Sequence, residues 1–328
     1  MKKFKWAIRA TGHIANSFAQ GMAEVEDAEL AAVVSRTEGA GRAFADRYGC
    51  SQVYTDFETM LKQADVDVIY LATPNDQHFS EIMLALDYKI PVLSEKPIVD
   101  NEFQLKQILD KARENKVFFM EGMWSRFFPA MKKAATWIKQ GQIGEPLYLS
   151  ADFSYALDPE KDQPWKAGLS NHAGALRDVG IYSLAFADMV FPQYPKNIYS
   201  SMDFNGEVDQ RMHLFCEYGD AKVAFLSAAF THHGSSTAEI VGSTGKIQVG
   251  PEFWRPSSAK LIRKLDLEQE FISEYPASGF QFEIQEVQRC LTEGLQESPF
   301  YNHSSMFRIA NLIERVRKDW GIYYSSDL

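Results

Sequence analysis

Cysteine is scarce in this chain of 328 residues, and Cys50, Cys216 and Cys290 are odd in number and far apart. They offer neither a disulfide framework nor a paired-cysteine metal site. Basic charge is also short. The formal net charge of −10 argues against nucleic acid or an anionic membrane as partner, since both need a basic face. No apolar run approaches the length needed to span a bilayer. No signal peptide is recognisable after Met1, where lysines lead straight into a short strand, so the cytoplasm is the expected compartment. Internal repeats and low-complexity tracts are absent. His232-His233 is the one tempting metal pair, but neighbours on a strand point to opposite faces, and no metal is expected. What remains, 45% hydrophobic and 24% charged residues, suits two domains with ample cores.

Up to Gly122, short apolar runs alternate with helical stretches, the pattern of a doubly wound parallel sheet. Trp6 to Arg9 runs into Ala10-Thr11-Gly12-His13-Ile14-Ala15, followed by apolar residues at Ile14, Phe18 and Met22. This is close to the dinucleotide fingerprint, in which glycines let the backbone approach a pyrophosphate at a helix N-terminus. Ala10 and Ala15 stand where the first and third glycines belong; alanine is common at the third place, and the first is a departure. The second strand, Leu30 to Val34, ends in Ser35-Arg36 with no acidic residue to hold a ribose 2′-hydroxyl. An arginine there accommodates a 2′-phosphate, so the sequence leans to NADP over NAD. Val68 to Ala72 is a third strand, followed by Thr73-Pro74-Asn75 and His78; Ile90 to Leu93 is a fourth, followed by Ser94-Glu95-Lys96-Pro97 and a helix from about Asn101. Ligands of open α/β sheets bind at the carboxyl ends of strands, which points the Lys96 ammonium into the crevice.

Beyond Gly122 the strands lengthen. Leu147 to Tyr155, Asn197 to Phe204, Arg211 to Tyr218, Lys222 to Phe230 and Thr237 to Val249 read as an open, mostly antiparallel sheet. Helices are expected over 129–140, 281–291 and 306–319. The expected division is a Rossmann domain over 1–122 and a substrate-binding and oligomerisation domain of α+β type over 123–328. If a helix starts near Asp178, that residue and Tyr182 share one face and Arg177 points away. On the residues alone, Asp178 as a helix cap and Tyr182 as a half-buried core aromatic stay open.

Ala72-Thr73-Pro74-Asn75 with His78, Glu95-Lys96-Pro97, Met120-Glu121-Gly122-Met123-Trp124-Ser125-Arg126-Phe127-Phe128-Pro129 and Asp178-Val179-Gly180-Ile181-Tyr182 together resemble the Gfo/Idh/MocA family of oxidoreductases. Within it the last two segments resemble the dimeric dihydrodiol dehydrogenase branch, which includes NADP-dependent D-xylose dehydrogenases. That branch also carries small non-glycine residues at the place of Ala10, and usually an apolar residue where this chain has Arg177. The resemblance implies an NAD(P)-dependent dehydrogenase that moves hydride between nicotinamide and a secondary alcohol or hemiacetal carbon of a sugar, polyol or trans-dihydrodiol. It implies Lys96, Tyr182 and Asp178 as catalytic residues. Cofactor contacts would come from Ala10, Thr11, Gly12, His13, Ile14, Ser35, Arg36, Thr73, Pro74, Asn75, His78, Glu95 and Lys96. Substrate contacts would come from Trp124, Arg126, Phe127, Phe153, Asp178, Tyr182 and Trp254. Oxidising an alcohol leaves a proton for a base, and a tyrosine with a pKa of about 10 serves only if a neighbouring ammonium favours the tyrosinate. A homodimer or higher homo-oligomer is expected. Two other chemistries stay open: a redox-assisted glycosidase or epimerase that retains NAD, and a non-catalytic dinucleotide sensor.

Overall fold

A computed structural model describes residues 3–158 and 172–327. The chain forms two compact units, Met1–Gly122 with Tyr275–Met306, and Met123–Glu274 with Phe307–Leu328. The leading segment of the first unit ends at Gly122, and 275–306 lies with it, whereas the sequence reading groups 275–306 with the second domain.

The first unit holds β1 (Phe4–Arg9), β2 (Ala28–Val34), β3 (Gln52–Tyr54), β4 (Val68–Leu71), β5 (Val92–Ser94) and β6 (Phe119–Glu121), all parallel, in the order β3-β2-β1-β4-β5-β6. Helices α1 (His13–Met22), α2 (Glu38–Tyr48), α3 (Phe57–Gln63), α4 (Asn75–Asp87) and α5 (Glu102–Asn115) make the crossovers. Three of them start where a short polar side chain accepts a first-turn amide: Thr37, Asp56 and Asn101. Every residue of β4 and β5 is buried, as strands covered on both faces require. Strand order reverses between β1 and β4, which opens a crevice at their carboxyl ends. Helix α8 (Gln281–Thr292) returns to this unit because α1 presents an aromatic surface that needs cover. Phe280 packs edge-on to Phe18 at 5.8 Å between ring centres, and a Cβ on Gly21 would stand 2.8 Å from that of Phe280.

The second unit holds α6 (Pro129–Lys139), β7 (Pro146–Ser154), α7 (Ile181–Val190), β8 (Asn197–Phe204), β9 (Asp209–Gly219), β10 (Lys222–Ala229), β11 (Ala238–Gly242), β12 (Lys246–Val249), β13 (Ser258–Arg263) and β14 (Asp266–Ile272). Helix α9 (His303–Asp319) follows α8 near the end of the chain. The eight strands form one sheet in the order β14-β13-β12-β11-β7-β10-β9-β8, antiparallel except for the parallel pair β7 and β10. Helix α7 packs on β7 and β10, and α6 on β12, β13 and β14, covering one face whose residues include Leu149, Ala151, Ala224 and Leu226. The opposite face carries a line of rings, Tyr148, Phe225, Phe215 and Tyr199, with successive centres 5.6, 4.7 and 5.9 Å apart. Phe225 and Tyr199 are 47% and 58% exposed there. His232 and His233 lie in the exposed loop after β10 rather than on a strand, so side-chain alternation is not what separates them. Among the described residues no helix is long and apolar enough to cross a membrane.

Candidate active site

In the first unit the loops singled out from the sequence follow β1, β2, β4 and β5, four adjacent strands, at their carboxyl ends. Backbone bonds tie that edge together: Ala10 N to Val34 O, Ala72 N to Arg9 O and Glu95 N to Leu71 O. Ala10 adopts φ 83°, the left-handed region where glycine is at home, so the first position of the fingerprint keeps its conformation at the cost of strain. Gly12 caps α1 without a side-chain bond, and nothing lies within 4 Å of where its Cβ would be. The bare N-terminus of α1, which starts at the exposed His13, fits a pyrophosphate. Ile14 and Thr11 are half-buried, and the Thr11 and Ser35 hydroxyls are 3.4 Å apart. Arg36 is exposed and makes no hydrogen bond or ion pair with described residues, which leaves its guanidinium available.

After β4, Thr73 donates to Glu81 Oε2 at 2.8 Å, and Glu81 Oε1 accepts from Arg9 Nε at 2.8 Å. Burial pushes the Glu81 carboxyl up, and Arg9 holds it back. Pro74 is exposed and Asn75, the first residue of α4, is half-buried. His78 is fully buried. Its ring nitrogens lie 3.0 Å from Pro97 O and 2.8 Å from Thr73 O, so it ties two loops together and presents no surface to a ligand. After β5, Lys96 is half-buried, and Glu95 accepts from the Tyr70 hydroxyl at 2.5 Å.

Three buried carboxyls surround this corner, and sequence reasoning assigned a role only to Glu95. Glu121, at the end of β6, accepts from Tyr301 Oη at 2.5 Å and from Ile98 N at 3.2 Å. Burial pushes it up to about 7; those bonds and the Lys96 charge hold it from going further. Glu283 of α8 is fully buried with no hydrogen-bond partner for either oxygen among the described residues, and burial, aided by the Glu95 charge, holds its pKa well above the usual range. Glu121 stands inside the Met120 to Pro129 motif, which was a usable signal. Glu283 had none, because nothing local marks its helix as returning to this unit.

In the second unit Trp124 Nε1 donates to Tyr182 Oη at 3.0 Å. Tyr182 is 8% exposed, its ring 5.6 Å from Phe153, and Phe153 stacks on Trp254 at 3.4 Å between centres. Four of the residues expected to meet substrate are therefore linked in one aromatic group, Trp124 to Tyr182 to Phe153 to Trp254. Arg126 and Phe127 do not join it. Arg126 is buried and donates to Ala185 O at 2.6 Å, and Phe127 is a 1% exposed core residue. Both brace α7 or the core. Asp178 is half-buried, and its amide donates to Gly174 O at 2.9 Å. The helix starts earlier than expected and with a different period: Leu176–Gly180 is a π turn that leads into α7, so the spacing of Asp178 and Tyr182 is not that of an α-helix throughout. Arg177 is 2% exposed with its guanidinium carbon 5.2 Å from the centre of the Tyr324 ring. It fills an apolar slot by lying against a ring.

The family described as "Oxidoreductase family, NAD-binding Rossmann fold" matches residues 4–123, and the GFO/IDH/MocA C-terminal domain matches 131–248. The chain belongs to the Gfo/Idh/MocA oxidoreductases. It is 29% identical over 338 residues to a trans-1,2-dihydrobenzene-1,2-diol dehydrogenase of Danio rerio, covering 98% of both chains. Among solved structures, an aldose-aldose oxidoreductase from Caulobacter crescentus has the same fold, with TM-score 0.85 and 20% identity over 97% of this chain and 98% of that one. So does a 3-ketoreductase from Actinomadura kijaniata in complex with NADP, with TM-score 0.82 and 22% identity over 97% and 98%. As a Gfo/Idh/MocA protein the chain is an oxidoreductase with an NAD-binding Rossmann fold.

Proposed function

We propose that the protein is an NADP-preferring dehydrogenase of a secondary alcohol or hemiacetal carbon in a sugar, polyol or trans-dihydrodiol, acting in the cytoplasm. The observation that carries this reading is the Tyr182 hydroxyl, which accepts from Trp124 Nε1, with the Tyr182 ring against Phe153 and Phe153 stacked on Trp254. Aromatic walls suit the apolar face of a sugar ring or a cyclic diene diol, and a phenol oxygen can both accept a hydrogen bond and donate its proton. The nicotinamide, when bound, supplies the redox chemistry. Lys96 is assigned to polarising the substrate oxygen, Tyr182 to moving its proton, and Asp178 to orienting the hydroxyl. The cofactor residues are the α1 N-terminus with Ala10, Thr11 and Gly12, then Ser35, Arg36, Thr73, Pro74, Asn75, Glu95 and Lys96. His78 supports them from beneath. The test is a screen of sugars, polyols and dihydrodiols for reduction of added NADP or NAD. No turnover across that panel, with NAD released only on denaturation, would overturn the reading in favour of a retained-cofactor reaction.

Arg36→Ala will weaken NADP binding while NAD binding stays nearly unchanged, since only the contact to the 2′-phosphate is lost. A charge-assisted contact contributes about 1.5–3 kcal/mol, roughly 10- to 150-fold in affinity. Fluorescence titration with both nucleotides measures it, and equal losses would make Arg36 a structural residue.

The reading includes a homodimer that covers the open sheet face. The line of Tyr148, Phe225, Phe215 and Tyr199, with Phe225 and Tyr199 exposed, supports it, because an apolar sheet face needs a partner layer. Light scattering at micromolar concentration will give twice the chain mass, and a stable monomer would remove the dimer from the proposal.

A further inference from the structure

The π turn that carries Asp178 has no cap of its own: no side-chain bond is made at Ala175 or at Gly180. The acceptor comes from β9. Asp209, 4% exposed at the first position of that strand, takes the Leu176 amide on Oδ2 at 2.6 Å. Its Oδ1 lies where a Cβ on Gly174 would stand, and Gly174 adopts φ 117°, so glycine is needed there for space and for conformation. Three residues along β9, Met212 holds the other end of the turn. A Cβ on Gly180 would come within 2.7 Å of Met212 Cε. One strand thus pins both ends of the segment Gly174–Gly180, and Tyr182 follows two residues later. The contacts argue for more than packing, because a buried carboxylate has a desolvation cost that an apolar residue would avoid.

We propose that Asp209 is a positioning residue for proton transfer: its carboxylate fixes the π turn, and the turn sets where Asp178 and the Tyr182 hydroxyl stand. This rests on the assignment of the proton step to Tyr182. Burial raises the Asp209 pKa to about 6, opposed by the Leu176 amide and by the Arg177 charge. Arg177 is the charged group of the turn that acts on it. Of the rest, Arg211 of β9 pairs with Asp203 of β8, Lys222 at the far end of β10 pairs with Glu145, and Asp152 of β7 is bonded to Ser154 and Ser227. As pH falls through about 6 the carboxylate gains a proton, the bond to Leu176 N weakens, and the turn loosens.

The test uses the full chain with Asp209→Asn, which keeps the shape and one acceptor oxygen. Its kcat will fall by about 10- to 100-fold above pH 7, the cost of a small misplacement at the reacting atoms, with the KM for NADP held within about twofold. The wild-type acid limb of kcat near pH 6 will be absent from its profile. Hydrogen exchange of peptides over 174–182 will quicken about tenfold in the variant, the equivalent of one weakened hydrogen bond. In the wild type the same peptides, corrected for intrinsic rates, will lose protection below pH 6; this arm needs no variant and decides the matter if Asp209→Asn does not fold. Wild-type kcat in the variant, or unchanged exchange over 174–182, overturns the proposal. Tyr182→Phe runs alongside. If it stays active, the assignment of the proton step fails, while slower turnover and faster exchange in Asp209→Asn would still place Asp209 behind whatever group the turn carries.

Discussion

Lys96→Ala will lower turnover by about 10²–10⁴-fold, the contribution of a positioned acid–base group, while NADP still binds. Lys96 follows β5 at the carboxyl edge of the parallel sheet, half-buried, between a Glu95 held by Tyr70 and Pro97, whose carbonyl lies against His78. Tyr70 and His78 hold this loop through the Glu95 carboxylate and the Pro97 carbonyl, bonds that do not use the Lys96 amine. Cofactor affinity, read by fluorescence titration, should therefore change little, and the loss should appear in kcat. A variant that kept most of its activity would make the mechanism wrong and leave dinucleotide binding without catalysis as the better account.

Tyr182→Phe will produce a loss of the same order. The ring would keep its contacts with Phe153, and only the hydroxyl that accepts from Trp124 is removed, so folding is little disturbed. Groups that act in one step are not additive, and the double variant Lys96→Ala with Tyr182→Phe should be little slower than either single. The rate of alcohol oxidation in the wild type should climb with pH as the base loses its proton, and Tyr182→Phe should flatten that climb. Multiplying losses in the double variant would show that the two residues serve separate steps. Retained activity in Tyr182→Phe alone would pass the proton to Asp178 or to a water on Lys96.

The strands of the first sheet were legible where burial is complete. Val68–Leu71 is apolar throughout, and such a run, bounded by Asp67 and Thr73, has one reading. Gln52–Tyr54 and Phe119–Glu121 are three residues each, too short for a period, and exist because neighbouring strands offer them an edge. In the second sheet, Asn197–Phe204 was readable to the residue, but Thr237 to Val249 is two strands joined through Ser243, Thr244 and Gly245. Asp266–Ile272 escaped notice because it is an edge strand, almost wholly exposed, with no apolar alternation to mark it. Lys96 and Tyr182 were singled out through their motifs, and their proposed roles await the variants above. The burial of Arg126 and Phe127 was not legible, because a single 3-10 turn from Trp124 to Arg126 is too short to show which side faces inward. The cap on the π turn was beyond reach for another reason: Asp209 and Leu176 are 33 positions apart, and no local pattern joins them.

The return of α8 to the first unit has a consequence for how the protein is made. Phe18 and Gly21 of α1 find their cover in Phe280 and Gln281, so the unit that starts the chain lacks part of its core until residues near 281 have left the ribosome. A segment cut at Gly122 would expose that aromatic surface, and the nascent chain exposes it for most of synthesis. Closing so long a loop is slow in a chain that folds by non-local contacts. Chaperone dependence during translation is the expected cost of this connectivity, and a circular permutant that places 275–306 ahead of β1 would relieve it.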